Sequence, residues 1–356
     1  MPANRFYHTW FDQIRQLCPA ARKSLIHNFT WLLIGIYLSE KVHLSKIANK
    51  IPGHAKLPSK VQRLRRLLLS RIHVRKWYGP IGKELLASQA KHGQVRLILD
   101  GSKVSFHYQL LMVSIAYRRR AIPIVWTWVR GKLGHSSAIK QLALLKYVHD
   151  RLPKDVSVSV VGDCEFGSVA VLRQLDDWQW QYVLRQSSST LIDLTLHNNW
   201  QHFGDVLRAP GKARWLGHWF LTKEHVYRTY LLAYWKRGEE TPWLLATSFS
   251  SQREALRAYR RRMWIEEMFG DFKGHGFNLE DSHLRHWLRL SRLTLAVVLL
   301  YVWLVAFGSR VIKNGQRSLV DRADRCDYSI FRVGLNMAER RLANAELFSI
   351  AFVPYF

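Results

Sequence analysis

Apolar residues recur at intervals of three and four in two stretches near the start of the chain, "WLLIGIYLSEKVHLSKIANKI" and "SKVQRLRRLLLSRIHV". That spacing gathers them on one face of a helix. Ser45 and Ser59 stand where N-caps are expected, and Pro52-Gly53 punctuates the interval between the helices. The pattern allows a helix-turn-helix, although the stretch from Ile51 to Pro58 is longer than the ideal turn. From Val95 the rhythm changes. "VRLILD", "SFHYQLLMVSIAYRR" and "AIPIVWTWV" are dense in β-branched and aromatic residues and predict three strands with short turns. A helical run, "SAIKQLALLKYVHDRL", follows, then the strand "VSVSVVGD", a helix around "GSVAVLRQLDDW" and the strand "QYVLR". Three meandering strands followed by helix, strand, helix and strand describe a mixed α/β sheet with crossovers. Between Gln186 and Ser250 short strands separated by Gly and Pro turns predict an all-β insertion rich in tryptophan. The apolar run from Leu295 to Gly308 is shorter than the roughly 20 residues a membrane-spanning helix needs, so it predicts a buried core helix.

Composition sharpens the picture through charge. With 48% apolar and 13% aromatic residues in 356, the chain can bury a large core. Its 54 Lys and Arg against 26 Asp and Glu leave a formal charge of +28, which points to a polyanionic partner. Residues 1 to 90 carry 16 of those cations against only Asp12, Glu40 and Glu84. The second predicted helix there offers Lys60, Arg63, Arg65 and Arg66 to DNA. Cys18, Cys164 and Cys326 are too scattered for a zinc site or a disulfide framework, which fits a reducing cytoplasm. The opening "MPANRFYHTWFDQIRQ" has no apolar core of signal-peptide length.

One later segment, "YRRRMWIEEMFGDFK" (Tyr259 to Lys273), sets two adjacent glutamates behind three consecutive arginines. On a helix, at about 100° per residue, Tyr259, Arg262, Glu266 and Lys273 share a stripe roughly 60° wide. Trp264, Ile265, Met268, Phe269 and Phe272 gather on a broad, largely opposite face suited to burial against a sheet. Glu267 projects away from that stripe, near Arg260 and Asp271, and reads as ordinary surface. An Arg262–Glu266 salt bridge is the plain alternative, but cation before acid is the weaker i, i+4 order.

Two aspartates change the weight of that stripe. Asp100 closes "VRLILD" and Asp163 closes "VSVSVVGD", each at the C-terminal end of an apolar strand, where α/β sites collect. Joined by Glu266, they make three carboxylates without His or Cys companions, a donor set that favours Mg²⁺ or Mn²⁺ over zinc. Such a site places two ions about 3.5–4 Å apart for an in-line phosphoryl displacement. Glu165 and His107 lie close by in sequence as possible supports, and Cys164 reads as packing.

The same residues carry a family resemblance. "YRRRMWIEEMFGDFK" matches the Y-x2-R-x3-E-x6-K signature of the type-four insertion-sequence transposases, a hairpin-forming branch of the DDE transposases, and "LILDGSKV" and "GDCEFGS" resemble that family's two aspartate motifs. The resemblance spans roughly residues 90 to 275. It implies an α/β fold: a ribonuclease-H-like mixed sheet core with an all-β insertion before the last catalytic helix, preceded by a helical DNA-binding region. In those terms residues 1–90 are the helical basic region and 91–186 the first part of the core. Residues 187–250 are the β insertion, 251–310 the second part of the core with the signature helix and the apolar helix, and 311–356 a C-terminal helical region with room for dimer contacts. The resemblance further implies Asp100, Asp163 and Glu266 as metal ligands, with Mg²⁺ the cofactor and Mn²⁺ a substitute. It implies Tyr259, Arg262 and Lys273 as phosphate contacts around the scissile bond, and Trp243 in "PWLLATSF" as the ring that supports a flipped-out base. Trp235 and Trp264 are the lesser candidates, and a Trp243 simply packed inward is the plain one.

The expected activity is cut-and-paste transposition: strand nicking, hairpin formation and opening, and strand transfer. The expected partners are double-stranded DNA, as terminal inverted repeats and target, and a second copy of the chain in the DNA complex, acting at the nucleoid in the cytoplasm. The competing readings are a ribonuclease-H-like DNA endonuclease that only hydrolyses, and a domesticated DNA-binding protein without catalysis.

Overall fold

The computed structural model describes residues 2–105, 108–130, 136–346 and 349–356. Five helices open the chain: α1 (Pro2–Leu17), α2 (Lys23–Ser39), α3 (Leu44–Asn49), α4 (Leu57–Leu69) and α5 (Val74–Ala90). The first periodic stretch is not one helix. Glu40 adopts a left-handed conformation (φ 50°) that ends α2, and the chain restarts as α3. Neither expected serine caps a helix: His43 and Lys56 hold those positions, and Ser59 lies inside the first turn of α4.

The strands form one ten-stranded mixed sheet. Its core comprises β1 (Gln94–Ser105), β2 (Tyr108–Tyr117), β3 (Arg120–Arg130), β4 (Ser157–Gly162) and β5 (Gln181–Arg185), with α6 (Ala138–His149) and α7 (Val169–Asp177) on the crossovers. The insertion supplies β6 (Leu191–Asp193), β7 (Trp200–His202), β8 (Lys212–Leu221), β9 (Tyr227–Trp235) and β10 (Trp243–Thr247). The order is β3-β2-β1-β4-β5-β10-β9-β8-β6-β7, parallel only at β1–β4 and β4–β5. The insertion therefore extends the core sheet, because β10 lies antiparallel beside β5. β2 and β3 are buried over nearly their whole length, as their unbroken apolar runs require.

After the sheet come α8 (Gln252–Tyr259), a 3-10 turn at Arg260–Arg262, α9 (Met263–Phe272), α10 (Trp287–Lys313) and α11 (Ile330–Ala343). At 27 residues α10 is longer than its apolar run suggested, and long and apolar enough to cross a membrane, so the length argument fails. Its placement still answers the question: 89% of its most apolar window is buried inside the protein, against the sheet and the N-terminal helices.

α11 crosses α10 where two glycines meet. A Cβ on Gly308 would fall 2.1 Å from the carbonyl oxygen of Ile330, and one on Gly334 2.0 Å from that of Leu304. Backbone cannot yield as a flexible side chain can, so G308A and G334A should each destabilise the fold by about 1–3 kcal/mol in urea unfolding.

Candidate active site

Two neighbouring strands bring the aspartates together. β1 and β4 pair in parallel from Gln94–Ser157 to Leu99–Gly162. The next step of that register sets Asp100 beside Asp163, one interstrand spacing of about 4.8 Å away. Asp100 does not end its strand, as expected from sequence: β1 runs on to Ser105 in antiparallel pairing with β2. Asp163 does leave β4, and its carboxylate caps the following 3-10 turn by accepting from the Cys164 amide.

The third acid arrives with a cation. Arg262 is buried, and its Nη1 lies 3.2 Å from Asp100 Oδ2 and 3.9 Å from Asp163 Oδ2, while its Nη2 lies 2.6 Å from Glu266 Oε1. Three carboxylates from three separate parts of the chain thus meet on one guanidinium. Burial pushes the Asp100 carboxyl up to about 7, against the pull of Arg262 and the Gly101 amide, and Asp163 and Glu266 push the same way as burial.

An aromatic pair flanks this centre. Tyr259 is buried, its hydroxyl raised by burial and without a hydrogen-bond partner among the described residues. Trp243, the first residue of β10, meets it edge-on with ring centroids 5.0 Å apart. Trp243 is half-buried rather than sealed inside, whereas Trp235 turns its indole N–H to the Glu239 carbonyl and Trp264 lies on another flank of α9.

The single helical wheel does not survive. The 3-10 turn separates Tyr259 from α9, and Lys273 leaves helical geometry (ψ −129°), its ammonium paired with Glu280 at 2.7 Å. Tyr259, Arg262 and Glu266 still converge; the structure joins Lys273 to Glu280 instead. Glu267 is more than bare surface, for Arg120 binds both it, at 3.1 Å, and the buried Asp271, at 2.7 Å.

Sequence reading missed Arg185. Its Nη1 lies 3.7 Å from Asp163, and its Nη2 donates to Thr241 and to the Pro242 carbonyl, so it ties the second aspartate to the entrance of β10. Only its place at the end of "QYVLR" hinted at this. Glu165 accepts from Gln109, from the Ser136 amide and from the Ser136 hydroxyl, and so braces the loop that carries Asp163. His107 lies outside the described residues. Cys164 is exposed and not part of the packing.

A family model for the transposase DDE domain matches residues 92–303, more than half of the chain and all three carboxylates. The chain belongs to the DDE transposases. This transposase is an enzyme acting on DNA, in a family that uses divalent metal ions. Among solved structures it is similar to piggyBac transposase in a synaptic complex with hairpin DNA, determined by cryo-EM: TM-score 0.44, 10% identity, 98% of this chain and 83% of that chain covered. No curated protein sequence matches the transposase.

Among the described residues no group of three His, Cys, Asp or Glu is set to hold a metal ion as it stands. Arg262 stands between the three carboxylates. The donor set itself, three carboxylates without His or Cys, is of the kind that suits a hard divalent ion.

Of the four cations expected to meet DNA, Arg63 and Arg66 line an open groove of about 1020 Å³ beside α4, shared with Arg22, Arg71 and Lys76. Among the described residues no acid lines it. Arg65 is exposed outside the groove, and Lys60 donates to the Ile51 carbonyl, bracing the turn before α4.

The raised Asp100 sets a pH dependence. Its folded value lies above the ordinary carboxylate range, so its contribution to stability is full in acid and lost as pH rises through about 7. On the expectation that Asp100 is a metal ligand, metal binding runs the other way, since a carboxylate ligand must be deprotonated. Mn²⁺ affinity measured by titration calorimetry should climb with pH up to about 7, by at most about tenfold per unit, and level off above.

Proposed function

We propose that this transposase is a hairpin-forming cut-and-paste enzyme of the type-four insertion-sequence group, with a ribonuclease-H-like core. The observation that carries the reading is the convergence of Asp100, Asp163 and Glu266, remote in sequence, on a single cation in the structure. The spacing of Tyr259, Arg262, Glu266 and Lys273 supports the group assignment.

On this reading the three carboxylates hold Mg²⁺, with Mn²⁺ able to substitute. Divalent ions there would supply activation of the attacking oxygen and stabilisation of the leaving oxygen. The chain's own residues do the rest. A DNA phosphate offers Arg262 an alternative bidentate partner to the carboxylates it now holds, and a shift to that phosphate would free them as ligands. Tyr259 and Lys273 add phosphate contacts, Lys273 by exchanging Glu280 for DNA. Trp243, half-exposed and steadied by Tyr259, takes the flipped base at the hairpin step, where stacking is worth about 1–3 kcal/mol.

The basic groove at α4, with Arg63 and Arg66, receives the transposon end, and Arg65 adds an outer contact. Two copies of the chain bring two ends together, and the paired ends then join target DNA.

E266Q should abolish cleavage of a labelled transposon end while leaving the affinity for that end near wild type in a gel-shift assay. E267Q should retain cleavage, because Arg120 keeps Asp271 as a partner; equal loss from both variants defeats the assignment. In W243A the deficit should fall on hairpin yield rather than on first-strand nicking. If pre-cut ends give only hydrolysis products with a target plasmid, a nuclease and not a transposing enzyme is at hand.

A further inference from the structure

The turn between β2 and β3 is built from the wrong residues for its shape. Tyr117 pairs with Arg120, so Arg118 and Arg119 alone form the loop, and both are left-handed, with φ of 42° and 63°. Two-residue turns with positive φ at both positions strongly favour Asn-Gly, because a β-carbon is disfavoured there. Consecutive arginines in this place are a conformational burden that packing does not explain, since both are exposed.

Their surroundings supply a reason. The turn forms the rim of an open pocket of about 610 Å³ whose wall includes Met263, Trp264 and Tyr328, with Met263 and Tyr328 both 44% exposed. Every acid at the pocket is already engaged: Glu267 by Arg120, and Asp327 by Arg325 and Arg322. Among the described residues no carboxylate remains within ion-pair reach of Arg118 or Arg119. Two guanidinium groups without a carboxylate partner, that of Arg118 resting over the Tyr117 ring at 5.5 Å, share one pocket with apolar and aromatic side chains, a combination suited to a nucleic-acid strand, with phosphates on the cations and sugars or bases on the rings.

The pocket runs along α9 from the arginine turn, about 20 Å along β2 from Met112, the strand partner of Asp100, to Met263 beside the site. Met263 touches Arg262 through its sulfur, while Glu266 faces the site and Glu267 the pocket. Trp243 and Tyr259 are not among the residues that line it. Under the proposed function, on which this inference rests, those two residues and the α4 groove take the transposon end. We infer that Arg118 and Arg119, with Trp264 and Tyr328, form a docking surface for target DNA, bringing its backbone alongside α9 towards the catalytic carboxylates.

The test is the double variant R118N/R119G, which gives the turn its preferred residues, with R118K/R119K as the charge-preserving companion. R118N/R119G should melt higher than the parent by roughly 2 °C or more. For a random-sequence duplex, the slope of log affinity against log salt should become shallower by roughly 2, the loss of two phosphate contacts. It should still cleave a labelled transposon end while joining pre-cut ends to a plasmid poorly, and R118K/R119K should keep the parent slope. An unchanged slope or undiminished joining in R118N/R119G overturns the inference, as does a change confined to self-association. Equal loss of cleavage and joining overturns the assignment to target rather than transposon end. If the parent itself joins no ends, the transposition chemistry fails, and the salt slope alone still decides whether this surface binds DNA.

Discussion

Everything around the site is arranged by one buried guanidinium. Arg262 neutralises, at a single point, carboxylates that would otherwise repel one another in a partly dehydrated place, and it is the shared partner of all three. Removing one partner of the buried Arg262–Asp100 pair leaves a charge uncompensated, at a typical cost of about 3–5 kcal/mol, whereas the more exposed Asp163 and Glu266 are screened by solvent. The arrangement holds the acids together, and on the proposed reading a guanidinium that moves to a DNA phosphate makes their availability depend on DNA.

The sheet does the positioning. Parallel pairing of β1 with β4 sets two aspartates side by side, and the 3-10 turn before α9 delivers Arg262 and Glu266 to the same spot. Tyr259 links this centre to Trp243 on β10, while Arg185 links Asp163 to the same strand's entrance. Beneath them α10 fills the core so completely that its apolar length serves packing within the protein rather than contact with lipid.

Much of this was legible from residue order. Period-two and unbroken apolar runs located β1 to β5, and the apolar run at 295–308 located the core of α10. Asp100, Asp163 and Glu266 stood out because carboxylates at strand ends and in a cationic helix have few structural reasons to be there. Other features depended on what no local pattern contains. The left-handed Glu40 that splits α2 from α3, the 3-10 turn that spoils the wheel, and the capture of Lys273 by Glu280 are tertiary choices. So are the roles of Arg185 and Arg120, whose partners lie across strands. A repetitive basic composition hid which cations are committed: Lys60 braces a turn, whereas Arg63 and Arg66 open on a groove.

The junction of β10 with β5 has a geometric consequence. β4, β5 and β10 are consecutive in the sheet, so Trp243 at the start of β10 and Asp163 just past the end of β4 are held two interstrand steps apart across the sheet, about 9–10 Å, with a further offset of two residues along β10. A hydrogen-bonded ladder does not stretch. Insertion loops can lengthen or shorten beyond β9 without altering that span, which on the proposed reading acts as a fixed gauge between the base under the indole and the bond to be broken.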